Sequence, residues 1–226
     1  MKNNSSDRRI SEINRSKTEA QQAYSRLSRW YDFVAGSSEK KYRDIGLGLL
    51  QPKSGEKILE IGCGTGEALL SLSEVDDPFP QIVGIDLSPG MLRETQKKFI
   101  RKKIDLAPQI LCGDGSQIPL KSQYFDGCFM SFTLELFDTN ELEKVLLECS
   151  RVMKPRGRLV VVSLDLEQGR TMGVKLYEWF HERFPRLVDC RPIYVLPLIE
   201  EAGFQVREAR YFKMWGLPLA IVLAEN

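Results

Sequence analysis

The fold is decided by Ile58-Leu59-Glu60-Ile61-Gly62-Cys63-Gly64-Thr65-Gly66. Its first half is a short apolar run of β-favouring residues, preceded by the breakers Pro52 and Gly55, and it predicts a buried strand. Its second half has glycine at every other position. Because glycine has no Cβ, such a turn bends sharply and brings backbone amides close to a ligand. With the apolar residues 68–72 directly after it, the stretch predicts a strand, a turn and a helix around a small-molecule cofactor.

Two acidic residues beside the turn distinguish a dinucleotide site from a site for a positively charged ligand. The dinucleotide fingerprint GxGxxG needs a glycine three positions after Gly64, where this chain has Glu67. A carboxylate at that position would face the phosphates of a dinucleotide. Glu60 adds an acid near the mouth of the site, one residue before the strand ends. Together the two acids favour a positively charged ligand over a pyrophosphate.

A second apolar strand ends in an acidic residue a little over twenty residues after the first glycine. The segment 81–88 contains Asp86 at its strand end, followed by Ser88 and Pro89 as a helix start. A carboxylate at the end of the neighbouring parallel strand can accept two hydrogen bonds from a ribose diol. We therefore expect Asp86 to bind ribose.

These motifs resemble those of the class I S-adenosylmethionine-dependent methyltransferases, whose first motif is a hydrophobic strand, an acidic residue and GxGxG. A third element with Asp114 at 109–115, a fourth-strand motif at 124–132 and a loop at 154–159 follow in the family's order. The resemblance implies S-adenosylmethionine as the cofactor, with its methionine part on the glycine loop and its adenine amine near Asp114. The cofactor-binding residues that it implies are Tyr31, Glu60, Gly62, Cys63, Gly64, Thr65, Asp86, Leu87, Asp114, Gly115, Ser131 and Phe132.

Strands and helices alternate along most of the chain. The predicted strands lie near 82–86, 109–112, 125–131 and 158–164, and the predicted helices near 67–74, 89–102 and 140–152. Such alternation predicts a parallel sheet covered on both faces. A short helix ending at Gly203 and two more strands follow. The expected fold class is α/β: a Rossmann-like, doubly wound, mostly parallel seven-stranded sheet, for which the resemblance implies an antiparallel last strand.

The chain has the length of one ordinary domain. Residues 1–18 are polar and predict a flexible N-terminus, and residues 19–226 predict a single methyltransferase domain. Within that domain, 19–50 has amphipathic helical spacing and is expected to form a helical lid. The aromatic segment 165–195 predicts a helical insertion on the substrate side.

Composition limits the partners and the location. The net charge of +1 gives no electrostatic reason to expect a nucleic-acid substrate. No apolar run reaches the roughly twenty residues of a membrane span, and the N-terminus is polar rather than signal-like. We therefore expect a cytoplasmic protein without a membrane span, while a peripheral membrane contact and the oligomeric state stay open.

The cysteines and the single histidine argue against a metal site. Cysteines stand at 63, 112, 128, 149 and 190 without CxxC spacing, so we expect reduced, buried side chains. His181 is the only histidine of the chain. A zinc site would have to gather widely dispersed cysteines around it, and we predict no metal.

Within the superfamily the chain is most similar to the C-methyltransferases of ubiquinone and menaquinone biosynthesis. Trp30-Tyr31-Asp32 resembles their N-terminal lid motif, and 130–134 resembles their fourth-strand motif. The quinone enzymes usually continue that motif with Arg-Asn, whereas this chain has Glu135-Leu136. A quinol substrate therefore cannot simply be transferred from the family to this chain.

A catalytic residue is not assigned by the sequence, because the sulfonium is already an activated methyl donor and positioning dominates the reaction. A general base is needed only where the nucleophile carries a proton. The candidates are Tyr31, Asp32, Glu135 and His181. Their structural alternatives are, in the same order, a packing aromatic, a turn cap, a solvated charge at a helix start and a surface residue.

The expected function is S-adenosylmethionine-dependent methyl transfer, by in-line displacement, to a small or lipid-like acceptor. Methylation at oxygen or nitrogen of a small metabolite or phospholipid head group is an alternative to methylation at carbon. A non-catalytic S-adenosylmethionine-binding partner or sensor of the same fold is a second alternative, because fold does not fix function. An NAD-dependent dehydrogenase is the third, and Glu67 argues against it.

Overall fold

The computed structural model describes residues 10, 17–27, 36–73, 81–104, 107–167, 169, 174 and 190–226, which fold around one seven-stranded sheet. The strands are β1 (Lys57–Ile61), β2 (Gln81–Asp86), β3 (Gln109–Cys112), β4 (Phe125–Ser131), β5 (Met153–Leu164), β6 (Gln205–Met214) and β7 (Leu217–Glu225). The helices are α1 (Lys17–Leu27), α2 (Gly36–Leu50), α3 (Glu67–Ser73), α4 (Pro89–Lys102), α5 (Thr139–Val152) and α6 (Val195–Glu201), and a 3₁₀ turn spans Leu134–Leu136.

The sheet has the order β3-β2-β1-β4-β5-β7-β6. The first five strands run parallel to their neighbours, and β7 runs antiparallel to both β5 and β6. The predicted fold class is confirmed, including the antiparallel last strand. The strand order reverses between β1 and β4, because the chain winds outward to β3 and then crosses back. In doubly wound sheets ligands bind at the carboxyl ends of the strands beside such a reversal.

Helices cover both faces of the sheet, and each central strand contributes to both cores. Along β4, Phe129 packs into one core while Cys128 and Met130 pack into the other. The first core takes apolar side chains from α2, α3 and α4, and the second takes them from α5 and α6. This alternation is the two-residue period of a strand buried on both faces. The packed faces leave the carboxyl ends of β1 and β4 as the open edge.

The start of β5 differs from the prediction. The segment 154–157 reads as a loop before a strand at 158, but β5 begins at Met153. The register between β4 and β5 shifts at Phe125 and Gly127, and Arg156 has a φ of 64°. The backbone N–H of Arg156 donates to the carbonyl of Asn226 at 3.0 Å. Pairing with the end of the chain therefore holds these residues in the sheet as an irregular extension.

The predicted lid region contains two helices. α2 lies within residues 19–50, α1 begins two residues before that range at Lys17, and the lid motif Trp30-Tyr31-Asp32 lies outside the described residues. Most of the predicted insertion at 165–195 lies outside them as well, although Val174 is described and buried. The domain boundaries of the sequence analysis therefore stay predictions.

Candidate functional site

The glycine loop after β1 has the backbone that its sequence requires. Gly62, Gly64 and Gly66 all have positive φ values, of 70°, 53° and 80°. A Cβ on Gly62 would lie 2.2 Å from Cγ2 of Thr133, which no packed side chain tolerates. A Cβ on Gly64 would meet no protein atom within 4 Å, and this residue lines the cleft. Backbone conformation fixes all three glycines, and Gly64 leaves room on the side where a ligand would lie.

Asp86, at the end of β2, joins the glycine loop to the next helix. Its Oδ2 accepts the backbone N–H of Gly64 and its Oδ1 accepts that of Ser88, both at 2.8 Å. Burial nevertheless raises the pKa of Asp86, although both N–H bonds favour the ionised form. Ser88 also caps α4, accepting the N–H of Met91 at 3.3 Å with Pro89 in the first turn. Each carboxylate oxygen has a second acceptor position, so Asp86 can bind two hydroxyl groups of a ligand.

Glu60 is a buried carboxyl in the wall of the cleft. Its side chain is 3% exposed, and its Oε2 has no hydrogen-bond partner among the described residues. Burial raises its pKa well above the usual value, while Arg43 of α2 acts in the opposite direction. An unpaired buried oxygen is costly unless a donor reaches it. A ligand ammonium group is a donor that would satisfy it, so the residue fits the cationic ligand predicted from sequence.

Arg43 is a functional candidate that the sequence analysis missed. It is 6% exposed, lines the cleft, and has no hydrogen-bond partner for its Nε within the described part of the chain. Its Nη2 lies 3.9 Å from Oε2 of Glu67. A buried guanidinium with a free N–H can receive a ligand carboxylate. The sequence signal that could have pointed to Arg43 is its spacing from Glu39, since the two residues lie one helical turn apart before β1.

Glu67 lines the cleft at the start of α3, as its position after the glycine loop predicts. Its Oε1 accepts the ammonium of Lys98 at 2.6 Å. The carboxylate is therefore held where a dinucleotide fold has its third fingerprint glycine. A pyrophosphate at this helix start would meet a fixed negative charge, which disfavours the dehydrogenase alternative.

The far end of the cleft is closed by α1. The carboxylate of Asp114 accepts the ammonium of Lys17 and both the N–H and the hydroxyl of Ser116, the latter two at 2.8 Å. Lys17 also pairs with Glu141 of α5. Burial opposes ionisation, but these donors outweigh it and lower the pKa of Asp114. Asp114 is thus both a cleft residue and the anchor of a covering helix.

Two further contacts hold α1 against the start of α4. The side-chain amide of Gln21 donates to the carbonyl of Leu87 at 2.9 Å, and the hydroxyls of Ser25 and Ser88 lie 2.9 Å apart. Gly90 allows this approach, because a Cβ there would lie 2.5 Å from Cα of Ser25. Polar contacts therefore attach α1 over the side of the cleft where Asp86 and Asp114 stand.

The turn after β4 forms the part of the cleft wall beside the glycine loop, where Thr133 packs against Gly62. Ser131 and Phe132 both line the cleft, and Phe132 has a φ of 52°. The N–H of Phe132 donates to the carbonyl of Val162 at 2.8 Å, which holds it in this conformation. A bulky residue at positive φ stores strain, and such strain clusters at functional sites. The turn therefore fits the family's fourth-strand motif in position and in conformation.

Glu135 is not the solvated helix-start charge that its sequence context offered as an alternative. It is completely buried in the 3₁₀ turn, where its Oε1 accepts the N–H of Leu164 at 3.3 Å. Burial raises its pKa to about 7. Glu39 of α2, which lines the cleft, has its pKa raised to about 8 by burial and then by the charge of Glu135, against Arg43. Two carboxyl groups that hold protons near neutral pH thus lie close together at the α2 side of the cleft.

The predicted cofactor residues meet in one cleft, with one exception. The cleft encloses about 1300 Å³, counting the part open to solvent. The predicted residues that line it are Glu60, Gly62, Cys63, Gly64, Thr65, Asp86, Leu87, Asp114, Gly115, Ser131 and Phe132. Tyr31, and with it the candidate bases Asp32 and His181, lie outside the described residues. The individual binding roles stay predictions.

The cysteines agree only partly with the expectation. All five lie in the described part of the chain, where none forms a disulfide, and Cys63, Cys128 and Cys149 are buried as predicted. Cys112 is exposed at the end of the outer strand β3, and Cys190 is half-buried, so the expectation of burial is wrong for them. An outer strand has a neighbour on one side only, which leaves its last residue open. In the described ranges no group of metal-ligating side chains converges, and no helix there is both long and apolar enough to cross a bilayer.

Comparisons with known proteins agree with this geometry. Residues 59–161 match the family described as methyltransferase domain. A demethylmenaquinone methyltransferase of Desulfitobacterium hafniense is 28% identical over 172 residues, which are 74% of this chain and 66% of the relative. A demethylmenaquinone methyltransferase of Thermotoga maritima is 26% identical over 228 residues, 90% and 96% of the two chains. An O-methyltransferase of Pyrenophora dematioidea is 29% identical over 164 residues, 72% and 59% of the two chains.

Solved structures share the fold over almost the whole chain. The [4+2]-cyclase SpnF superposes with a TM-score of 0.75 at 18% identity, covering 96% of this chain and 99% of the other. A 1,6-didemethyltoxoflavin-N1-methyltransferase of Burkholderia thailandensis, solved with S-adenosylhomocysteine, has a TM-score of 0.67 at 13% identity, covering 98% and 96%. The sequence matches confirm the predicted resemblance to methyltransferases, an S-adenosylmethionine-dependent class of enzymes. The solved structures confirm the fold.

Proposed function

We propose that this protein transfers the methyl group of S-adenosylmethionine to an aromatic, lipid-like acceptor of the quinol type. The observation that carries the proposal is the buried, unpartnered Oε2 of Glu60 in a cleft that also holds the Gly64–Asp86 contact. The cleft thereby offers an acceptor for a ligand cation beside acceptors for a diol. S-adenosylmethionine carries both groups, and NAD would bring phosphates toward Glu67 instead.

The chain has a residue for each part of the cofactor. Asp86 would bind the ribose hydroxyls, and Asp114 would lie near the adenine. Glu60 would receive the α-ammonium group and Arg43 the α-carboxylate, because each has a buried polar atom without a partner among the described residues. The glycine loop would hold the chain between these ends with its backbone amides.

Positioning is the main contribution of the protein to such a reaction. S-adenosylmethionine supplies a methyl group on a sulfonium, and the protein has to hold donor and acceptor in line. Fixing two reactants in this way can lower a barrier by about 7 to 11 kcal/mol. The helix α1, attached through Lys17, Gln21 and Ser25, would cover the cofactor and exclude water from the cleft.

The sequence relatives motivate the acceptor class. Two of the three relatives described above are demethylmenaquinone methyltransferases, and the third is an O-methyltransferase. The departure at Glu135 from the quinone enzymes' motif places a buried carboxyl near Glu39 of the cleft wall, so the atom methylated need not be the same. The proposal also includes a location in the cytoplasm and no nucleic-acid partner. The near balance of acidic and basic residues supports the absence of a nucleic-acid partner.

Calorimetry with S-adenosylmethionine, S-adenosylhomocysteine and NAD tests the cofactor. Micromolar binding of the two sulfur compounds and none of NAD is expected. Transfer of labelled methyl to reduced demethylmenaquinone in detergent then tests the acceptor, with Asp86→Ala as the inactive control. Binding of the cofactor without transfer to this quinol or to any component of a lipid extract would favour the non-catalytic alternative.

A further inference from the structure

The tip of the β6–β7 hairpin exposes the largest side chain in the sequence. Trp215 is 71% exposed, and the strands on either side are paired up to Met214 and Leu217. The loop therefore has only two residues, Trp215 and Gly216, with φ values of 52° and 81°. Two-residue hairpin turns with both φ values positive favour Asn-Gly, and a tryptophan at the first position is strained. The turn chemistry does not explain this residue.

The hairpin tip lies on the same edge of the sheet as the cleft. Ser131, in the cleft wall, pairs through Val162 of β5 with Ile221 of β7. Leu217 comes four residues before Ile221, so the tip extends about 14 Å beyond the level of Ser131 at about 3.4 Å per residue. Two to three strand spacings separate the tip from β4 along the sheet, which is about 10 to 15 Å.

The hairpin is anchored rather than loose. The hydroxyl of Tyr42, on α2, donates to the carbonyl of Lys213 at 2.8 Å. The rings of Tyr42 and Phe212 pack with centroids 5.6 Å apart. These contacts hold the tip against the helix that also carries Glu39 and Arg43 into the cleft. A rigid support of this kind keeps Trp215 exposed instead of letting it fold back onto the surface.

Charges of both signs lie near the tip. Two acids follow β5 beside the hairpin: Asp165 donates its backbone N–H to the carbonyl of Pro218, and Glu167 accepts the hydroxyl of Tyr211. Lys41 and Lys213 are both exposed, and neither forms an ion pair with any residue that the structure describes. The nearby pairs Lys40–Asp44 and Arg210–Glu208 neutralise themselves. Tryptophan side chains prefer the boundary between hydrocarbon and water, and exposed lysines beside one favour anionic head groups.

We propose that Trp215, with Lys41 and Lys213, docks this edge of the sheet on the head-group region of an anionic lipid bilayer. The bilayer would then lie over the mouth of the cleft, at the distance from which a lipid-like acceptor can enter without leaving the membrane. This inference rests on the proposed function only in the reason it gives for docking, which is access to a lipid-like acceptor. Vesicle binding requires neither cofactor nor acceptor, so its failure is distinguishable from a failure of methyl transfer.

The decisive experiment is co-sedimentation of the full chain with vesicles of phosphatidylcholine and of phosphatidylcholine mixed with phosphatidylglycerol. Trp215→Asn should lower the partition coefficient on the mixed vesicles at least about tenfold, because the variant no longer buries a large apolar side chain in the bilayer. Lys213→Gln should weaken binding to the mixed vesicles only, and added salt should mask its effect. Ile100→Gln is the matched control, since Ile100 is 78% exposed near the end of α4, toward the opposite edge of the sheet.

Thermal unfolding separates docking from a structural role of Trp215. Asparagine suits the turn better than tryptophan, so Trp215→Asn should unfold at an equal or higher temperature while binding vesicles less. Equal sedimentation of wild type and Trp215→Asn would overturn the proposal, as would a wild type that sediments with neither vesicle. A dimer that forms with the wild type but not with Trp215→Asn, at unchanged vesicle binding, would also overturn it, because the tip would then be a subunit contact.

Discussion

Replacing Asp86 by asparagine tests the ribose site with the smallest change in shape. The carboxylate of Asp86 accepts the N–H groups of Gly64 and Ser88, one on each oxygen. Asparagine keeps one acceptor oxygen and turns the other into an NH₂ group, which faces one of these N–H groups as a second donor. The variant therefore loses one backbone hydrogen bond and one acceptor for the ligand.

The two losses have separate magnitudes. A buried N–H without an acceptor costs about 1 to 3 kcal/mol, and this lowers the free energy of unfolding. A hydrogen bond between a carboxylate and a ligand hydroxyl contributes about 1.5 to 3 kcal/mol, which corresponds to about a ten- to 150-fold increase in Kd. Asp86→Asn should therefore show both a lower melting temperature and a weaker affinity for S-adenosylhomocysteine.

Asp126→Asn is the control that separates these losses. Asp126 accepts the N–H of Lys57 at 2.9 Å and the ammonium of Lys154 at 2.6 Å, at the amino ends of β1 and β4. It does not line the cleft, so its replacement should lower stability while leaving Kd unchanged. Calorimetry and thermal unfolding on both variants give the result. Wild-type affinity in Asp86→Asn, with a stability loss like that of Asp126→Asn, would refute the assignment of Asp86 to the ribose.

Three further predictions follow from the cleft. Gly62→Ala should lower the melting temperature more than Gly64→Ala. Both variants add the strain of a positive φ, but only the first places a Cβ 2.2 Å from Thr133. Equal melting temperatures of the two variants would contradict the clash. Glu39→Gln should gain thermal stability relative to wild type as the pH rises from 4.5 to about 8, and a constant difference would contradict the shift. The sign follows because burial raises the pKa of Glu39 in the folded protein to about 8. The contribution of the protonated side chain to the free energy of unfolding is complete below pH 4.5 and is lost as the pH rises to about 8. Lys17→Gln should speed amide hydrogen exchange in α1, since its ammonium bonds Asp114 and pairs with Glu141, and unchanged exchange would show that this anchor is not needed.

The central sheet could be predicted from sequence because its signals are local. Each parallel strand is a short apolar run, and the glycines at 62–66 and the acid at 86 mark where β1 and β2 end. The start of β5 could not be predicted in the same way. Lys154-Pro155-Arg156-Gly157 has the composition of a turn, and what keeps it in the sheet is a bond from Arg156 to Asn226, seventy residues away in the chain. A contact of that separation leaves no pattern in the local sequence.

The same distinction applies within the cleft. The glycine loop, Asp86 and Asp114 could be predicted because each follows a strand at the edge where parallel strands end. Lys17 could not, and Arg43 had no local signal besides its spacing from Glu39, because both reach the cleft through the packing of α1 and α2 across it. A lysine or arginine on an amphipathic helix is far more often solvated than buried. Only the folded arrangement shows that these two cations face the acids at opposite ends of the site.

The departure from the quinone enzymes at Glu135 acquires a physical consequence in the folded chain. Arg-Asn at this point would put a cation where this chain has a carboxyl. Burial raises the pKa of Glu39 in the cleft wall, and the charge of Glu135 raises it further. Arg43 opposes that effect, so the charge at the α2 side of the cleft depends on the balance of these three groups. A protonated Glu39 can donate a hydrogen bond to an acceptor oxygen, whereas an ionised one can accept a proton from it. We therefore expect Glu39, which lies outside every cofactor motif, to influence which acceptors this chain selects.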